Sequence, residues 1–312
     1  MDFSSTIMII LFLLQTSIGA PTNIFILMAY AHISHAEKDL KPIDVILCHL
    51  VFANMLGLVT RGLPQIMSDL GLNNIRNDAS CKLLIYTYRT SRGVSICVTS
   101  FLSVYQAITL APSTTQWLFL KSRAKKYLIP NIVGSWLFNM LLNAYTLRIL
   151  HAQGNGTIPE AQYNVGFCYS KITVPSLALC FNIIMNGHDV FFVGLMLSCS
   201  VYILYVLKRH RDQVQYIHST RQNSKVTAER TAAKNVITLV SLYVLCFGVD
   251  TGFLVYSGTL LIVPPLLSQI RVFISSCYAL LSPFVIISFN KKIYRRLRYS
   301  QKEERMEHIN TN

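Results

Sequence analysis

Residues 3–31 read FSSTIMIILFLLQTSIGAPTNIFILMAYA, a stretch of 29 residues without a charged side chain. About 20 apolar residues in a helix are enough to cross the hydrocarbon core of a bilayer. The stretch therefore predicts a transmembrane helix over 3–31. A cleaved signal peptide is the alternative, because Ser17–Ala20 are small enough for a cleavage site. The chain begins Met-Asp-Phe without a basic segment, however, and this apolar run is longer than a signal requires.

Six further apolar stretches of similar length follow along the chain. They lie at about residues 43–67, 81–110, 127–150, 176–207, 232–257 and 266–290. Charged residues make up 13% of the chain, against about 25% in an average soluble domain. A surface that faces lipid needs few charges. The sequence therefore predicts an all-α fold, in which residues 1–312 form a single seven-transmembrane helix bundle that ends in a tail at 291–312.

The net charge of +14 would suit a nucleic-acid-binding protein, but the basic residues lie between and after the apolar stretches. The eight cysteines include no Cys-x-x-Cys pair and no Cys/His spacing typical of a zinc site. The sequence therefore predicts a lipid bilayer as the surroundings, with no nucleic-acid partner, no metal and no cofactor.

The distribution of basic residues predicts the orientation of the bundle. With the N-terminus outside, the inner segments 32–42, 111–126, 208–234 and 291–312 hold 20 of the 28 lysines and arginines. The outer loops hold three, and five lie within or at the ends of the spans. Cytoplasmic loops collect basic residues, so we expect the N-terminus outside and the tail in the cytoplasm. Basic and apolar residues alternate over 291–299, which predicts a short amphipathic helix on the inner leaflet.

Two features of the outer loops agree with this orientation. The sequon Asn155-Gly156-Thr157 lies in an outer loop, where Asn155 is expected to be glycosylated, the alternative being an unused sequon. Cys81 and Cys168 also lie outside, in the compartment where disulfides persist. We expect them to join the top of the third span to the second outer loop.

Four segments of the chain resemble the vomeronasal type-1 receptors, a family that includes related olfactory receptors of fishes. They are YRTSRGVSICVTSFLSVYQAITLAP at 88–112, HDVFFVGLMLSCSVYILYVLKRHRDQVQYIHST at 188–220, AERTAAKNVITLVSLY at 228–243 and YALLSPFVIISFN at 278–290. The resemblance covers nearly the whole chain. Val104–Ala107 replaces the Asp/Glu-Arg-Tyr triplet of the wider rhodopsin-like receptors, and Ser282-Pro283 replaces their Asn-Pro. Both departures are similar to the vomeronasal pattern.

A charged side chain inside a membrane span has a large desolvation cost, so each one suggests a function. Arg89 and Arg92 are three residues apart, which predicts one shared helical face. The resemblance implies that this face lines the ligand cavity, where the guanidinium groups would suit a small acidic ligand. The alternative is that they pair with internal acids such as Asp189 or Asp250.

Other residues are candidates for the same cavity. His188 and Asp189 in span five are predicted near it, although a core histidine and a counter-ion to an arginine of span three are the alternatives. Asp250 and Arg271 either line the cavity or pair with each other. Tyr88 and Tyr256 are candidates for an aromatic wall.

The resemblance implies a chemosensory receptor for an odorant or pheromone, in the plasma membrane of chemosensory neurons. It further implies contact with an inhibitory-class heterotrimeric G protein at the inner end of span three and at the third inner loop. The residues expected there are Tyr105, Gln106, Lys208, Arg209 and Arg211.

Three other functions compete with this one. A bitter taste receptor shares the same plan but not the quoted phrases. A transporter usually has related halves, and the chain has no internal repeat. A membrane-embedded enzyme would need a nucleophile with its base or a metal triad, and the sequence has no such motif, so we predict that the protein is not an enzyme.

Overall fold

The chain folds almost entirely into helices in the computed structural model. The structure describes residues 3–37, 40–71, 77–112, 114–152, 163–164, 168–170, 174–216, 224–259 and 265–289. Its helices are α1 (Phe3–Glu37), α2 (Pro42–Asp69), α3 (Asp78–Leu110), α4 (Thr115–Lys126), α5 (Leu128–Asn143), α6 (Thr146–Ile149), α7 (Pro175–Tyr216), α8 (Ser224–Thr259) and α9 (Pro265–Phe289). Three short antiparallel strands lie in the order β1 (Leu150–Ala152), β3 (Cys168–Ser170), β2 (Tyr163–Asn164).

Six of the seven predicted spans are long, apolar helices. By length and composition, α1, α2, α3, α7, α8 and α9 can each cross a membrane. Several of them continue beyond the predicted ends, and α1 reaches Glu37 while α7 reaches Tyr216. These extensions carry charged side chains. Hydropathy therefore assigns the extensions to loops, although their backbone remains helical. The prediction of an all-α membrane bundle is confirmed.

The fourth predicted span is divided into two helices. Within the predicted span at about 127–150, α5 ends at Asn143 and α6 begins at Thr146. Ala144 and Tyr145 keep right-handed helical backbone angles. The amides of Ala144 and Leu147, however, donate to carbonyls three residues earlier, at 3.1 Å each. Such bonds tighten the turn, so residues 128–149 follow one helical path with a tight turn in it.

The second inner segment contains a helix that hydropathy does not predict. Pro112 follows the end of α3, and a proline disfavours helix at the residue before it. Helix then resumes over TQWLFLKSRAKK as α4, which is rich in strong helix formers. Residues 111–126 are therefore a structured element and not only a connecting loop.

Helix α3 lies at the centre of the bundle. Sixteen of its residues are buried, and many of them are small, among them Gly93, Ser95, Thr99 and Ser103. A methyl group on Gly93 would collide with the Oδ1 atom of Asn139. Glycine at this position therefore lets α5 approach α3 closely.

The outer end of α3 is fixed to the small sheet. The predicted disulfide between Cys81 and Cys168 is present and joins α3 to β3, with Cα atoms 5.9 Å apart. Asp78 accepts a hydrogen bond from the Ala152 amide at 2.7 Å and lies 3.2 Å from the His151 Nδ1 atom. The start of α3 therefore positions β1 and β3 over the bundle.

Candidate functional site

Arg92 lies at the centre of a buried ion-pair cluster in the outer half of the bundle. Its Nη2 atom lies 3.1 Å from the Oδ2 atom of Asp189 on α7 and 3.5 Å from the Oδ2 atom of Asp250 on α8. Both aspartates are at most 6% exposed. A single guanidinium group therefore connects three helices, and the predicted counter-ion contact to Asp189 is present.

Asp250 is shared between two arginines. The Nε atom of Arg271 donates to its Oδ1 atom at 3.1 Å, while Arg92 contacts its other oxygen. The side chain of Arg271 is 38% exposed, so this end of the cluster is the more accessible one. Asp250 therefore links α8 to both α3 and α9, and its predicted pairing with Arg271 is present.

His188 continues the cluster on the other side of Asp189. Its Nδ1 atom lies 3.0 Å from the Asp189 Oδ1 atom, and its Nε2 atom lies 3.4 Å from the Cys97 sulfur. The ring also stacks against Phe138 and contacts Phe192 edge-on, with centroids 5.6 and 4.9 Å apart. An ionised carboxylate only accepts hydrogen bonds, so Nδ1 carries the proton. His188 is thus a hydrogen-bonded core histidine, which was one of the two interpretations of the sequence.

Arg89 is separated from this cluster although the spacing of three predicts one shared face. Its Nη1 atom donates to the Thr146 hydroxyl at 3.3 Å, at the first residue of α6. Among the described residues no carboxylate lies within ion-pair distance of Arg89. The charges of Arg92 and Arg271 act on its guanidinium group as electrostatic neighbours. Arg89 is therefore a half-buried cation with like charges nearby and one neutral partner.

The two candidate tyrosines occupy different environments. The hydroxyl of Tyr88 lies 2.9 Å from the Ser275 Oγ atom on α9, and the Arg61 guanidinium lies 5.8 Å from the centre of its ring. Tyr256 lies near the outer end of α8 and is 56% exposed. Tyr88 therefore belongs to the wall of the cluster, whereas Tyr256 faces outward.

A small cavity extends from the cluster into the centre of the bundle. Its volume is about 40 Å³, which is room for a few water molecules and not for an odorant. It is lined near the cluster by Tyr88, Arg92 and Asp250, and at the far end by Asn54, Ser95 and Tyr278. An odorant that enters this cavity must therefore move side chains or occupy space nearer the outer surface.

A buried hydrogen-bond network lies at the inner end of the cavity. Asn54 donates to the Ser282 hydroxyl at 2.8 Å and accepts from Ser95 at 2.7 Å. One turn further in, the Thr99 hydroxyl lies 2.9 Å from the Tyr278 hydroxyl. These contacts join α2, α3 and α9. These residues were not identified from the sequence, although a polar Asn54 within an apolar span was a signal that could have been used.

The residues expected to contact a G protein differ in accessibility. Gln106 is 1% exposed, and Tyr105 is partly buried. Lys208 and Arg209 are exposed on α7. Asn235 on α8, which the sequence reasoning missed, is also buried, and its Oδ1 atom has no hydrogen-bond partner. In this arrangement Gln106 of α3 and Asn235 of α8 are therefore both closed off from the surface.

Three predicted features fall on parts of the chain that the structure does not describe. Asn155 and the tail at 291–312 lie outside the described residues, and only the helical backbone of Arg211 is described. The glycosylation site, the amphipathic tail helix and the position of the Arg211 side chain remain predictions.

Comparison with known proteins shows similarity over nearly the whole chain. The model of the vomeronasal organ pheromone receptor family matches residues 5–299. "Olfactory receptor class A-like protein 1" of Danio rerio is 42% identical over 298 residues, which cover 95% of this chain and 93% of that protein. "Vomeronasal type-1 receptor 4" of Homo sapiens is 30% identical over 285 residues, which cover 90% of this chain and 93% of that protein.

Proposed function

The chain belongs to the vomeronasal organ pheromone receptor family and is a chemosensory G-protein-coupled receptor, and we propose that it detects a small acidic odorant or pheromone through Arg89. It is a multi-pass membrane protein and, as a receptor, not an enzyme. Its proposed location is the plasma membrane of chemosensory neurons, and its proposed transducer is an inhibitory-class heterotrimeric G protein.

The observation that supports an acidic ligand is the excess of positive charge at the outer ion-pair cluster. Arg92 and Arg271 share the carboxylates of Asp189 and Asp250. Arg89 contacts only the neutral hydroxyl of Thr146 among the described residues. A buried charge without a counter-ion is costly, and a carboxylate or sulfate can pair with a guanidinium through two parallel hydrogen bonds. An anionic ligand would therefore gain a charge-assisted contact at Arg89.

The same anion would weaken the link between α3 and α8. Arg92 and Arg271 are electrostatic neighbours of Arg89, so an anion held there attracts both of them and competes with Asp250. The contact from Arg92 to Asp250 is the longer of its two ion pairs, at 3.5 Å. A ligand that binds more tightly to an arrangement without this contact shifts the population toward that arrangement.

Loss of this contact would let the inner end of α8 move away from α3. Gln106 and Asn235 are buried in the present arrangement, and two of their acceptor oxygens have no hydrogen-bond partner. A partner protein entering between the helices would supply donors to them. In the proposed complex Tyr105, Lys208 and Arg209 contact the G protein together with Gln106.

The test compares Arg89→Gln with Arg148→Gln in cells that report inhibitory G-protein activation. Arg148 is an exposed arginine on α6, so it is a matched loss of one outer positive charge. A panel of carboxylic acids and their neutral methyl esters is applied, and surface expression is measured for each variant. We expect the acids to activate the wild type and the Arg148 variant, and the Arg89 variant to lose the response at unchanged surface level.

Two results would contradict the proposal. An Arg89 variant that keeps its sensitivity to the acids would remove Arg89 from the binding site. Esters that activate as well as the acids would show that the ligand needs no negative charge.

A further inference from the structure

Helix α4 presents a cationic and apolar surface at the predicted inner face of the membrane. Its exposed apolar side chains include Leu118 and Phe119, which are 54% and 59% exposed. Exposed cations follow in the next turns at Arg123, Lys125 and Lys126. Helices that lie at a membrane surface combine apolar and cationic side chains in this way.

One face of α4 is fixed against the bundle, which determines the side that is free. The Trp117 ring stacks on Tyr202 of α7, with centroids 6.1 Å apart and planes 22° apart. Lys121 lies one turn later and donates to the carbonyl of Ala111 at the end of α3, at 2.8 Å. Ala124 completes this half-buried face. Arg123, Lys125 and Lys126 therefore point away from the docked side.

The exposed cations of α4 have no acidic partner among the residues that the structure describes. The chain has no Asp or Glu between Asp78 and Glu160. Arg123 instead lies over the Phe119 ring, 4.4 Å from its centre, and Lys126 lies 6.0 Å from the centre of the Tyr127 ring. Within the described part of the chain, no carboxylate neutralises the positive charge of this surface.

The position of α4 places that charge next to the bilayer. Tyr127 follows α4 directly and is 46% exposed, and α5, the first part of the predicted fourth span, begins at Leu128. The amide of Asn131 donates to the Tyr127 carbonyl at 3.0 Å, so helical hydrogen bonding continues across the junction. In the orientation predicted from the basic residues this is the cytoplasmic leaflet, which carries the anionic lipids.

We propose that α4 is a docking site for anionic phospholipid headgroups, bound by Arg123, Lys125 and Lys126 beside the apolar side chains of Leu118 and Phe119. Each Lys or Arg near an anionic leaflet strengthens the binding of a basic segment to that surface by about fivefold. Because α4 contacts both Ala111 at the end of α3 and Tyr202 on α7, the bound lipid would hold the inner ends of these helices together.

Trp117 makes the proposal measurable, since the chain has two tryptophans and the other, Trp136, lies in α5. The full-length Trp136→Phe variant is reconstituted into vesicles that contain brominated phosphatidylserine or brominated phosphatidylcholine at equal mole fraction. We expect the brominated phosphatidylserine to quench Trp117 at least about twice as strongly. The triple change Arg123→Gln, Lys125→Gln, Lys126→Gln should abolish the difference.

A second triple change is the control. Lys208→Gln, Arg209→Gln, Lys234→Gln removes three other exposed cations and should lower the preference at Trp117 less than the α4 change does. Native mass spectrometry tests the same preference without replacing Trp136. The unaltered receptor should retain more phosphatidylserine than the α4 variant. Equal quenching by the two lipids overturns the proposal, and so does a preference that survives the α4 change. A preference that appears only with added G protein also overturns it, because α4 would then not bind the lipid by itself.

Discussion

Replacing Asp250 by asparagine is expected to activate the receptor without a ligand. The change removes the negative charge that attracts Arg92 at 3.5 Å and Arg271 at 3.1 Å, and keeps the size of the side chain. Helix α8 would lose its charged links to α3 and α9, while the contact from Arg92 to Asp189 would remain. The variant therefore imitates the proposed effect of an acidic ligand.

The size of the effect follows from the two distances. At an effective dielectric constant of about 20, an ion pair at such a distance has a Coulomb energy of about 5 kcal/mol. The cost of removing the charges from water offsets most of this energy. A bias of about 1–3 kcal/mol between the two helix arrangements remains, which corresponds to a change of about 5- to 150-fold in their ratio. We expect the lower end, because asparagine retains a carbonyl oxygen that can accept from Arg271.

The assay is basal inhibition of cyclic AMP production in cells, divided by the amount of receptor at the cell surface. Asp189→Asn is the matched control, because it removes the same charge from the same arginine and leaves α8 linked to α3. The reasoning about α8 is refuted if Asp250→Asn reaches the surface normally and leaves basal signalling unchanged. It is also refuted if Asp189→Asn raises basal signalling by the same amount.

Three other changes test the scaffold of the site. Cys168→Ser removes a disulfide between residues that are 87 positions apart in the sequence, and it should lower the free energy of unfolding by about 4–5 kcal/mol. The loss should be measurable as less receptor at the cell surface and as lower thermal stability in detergent. Asn54→Ala leaves the buried hydroxyls of Ser95 and Ser282 without their partner and should cost about 1–3 kcal/mol in thermal unfolding. Gly93→Ala forces a methyl group onto Asn139 and should lower the free energy of unfolding by about 1–3 kcal/mol. Adding Asn139→Ala should restore part of this stability. If it restores none, the close approach of α5 to α3 has another cause.

The amino-acid sequence indicated which charged residues inside the spans would need partners. A charge inside an apolar span needs a partner, and the structure pairs Arg92 with Asp189 and Arg271 with Asp250, as one of the two interpretations proposed. The separation of Arg89 from Arg92 was not predictable from the spacing. It depends on which helix faces each side of α3, and Arg89 meets Thr146 at the start of α6, just after the tightened turn.

Local sequence patterns explain which elements were missed. Hydropathy identifies helices through their apolar surface, so α4, with its many cations, was interpreted as a loop although its residues favour helix. The Asn54 network was missed for a related reason, because a single polar residue in a span gives no sign of which polar residues on other helices it will meet.

The sequence by itself determined that the chain forms membrane-spanning helices, which end is expected to face the cytoplasm, and which two cysteines lie on the outer side. These properties follow from the transfer of each segment between water and hydrocarbon, which depends on composition and length along the chain. Only the tertiary structure decided that Arg92 is neutralised while Arg89 is left with a hydroxyl, and that α4 lies against α3 and α7. These outcomes depend on distances between helices far apart in sequence, where a shift of one turn in packing would exchange the partners.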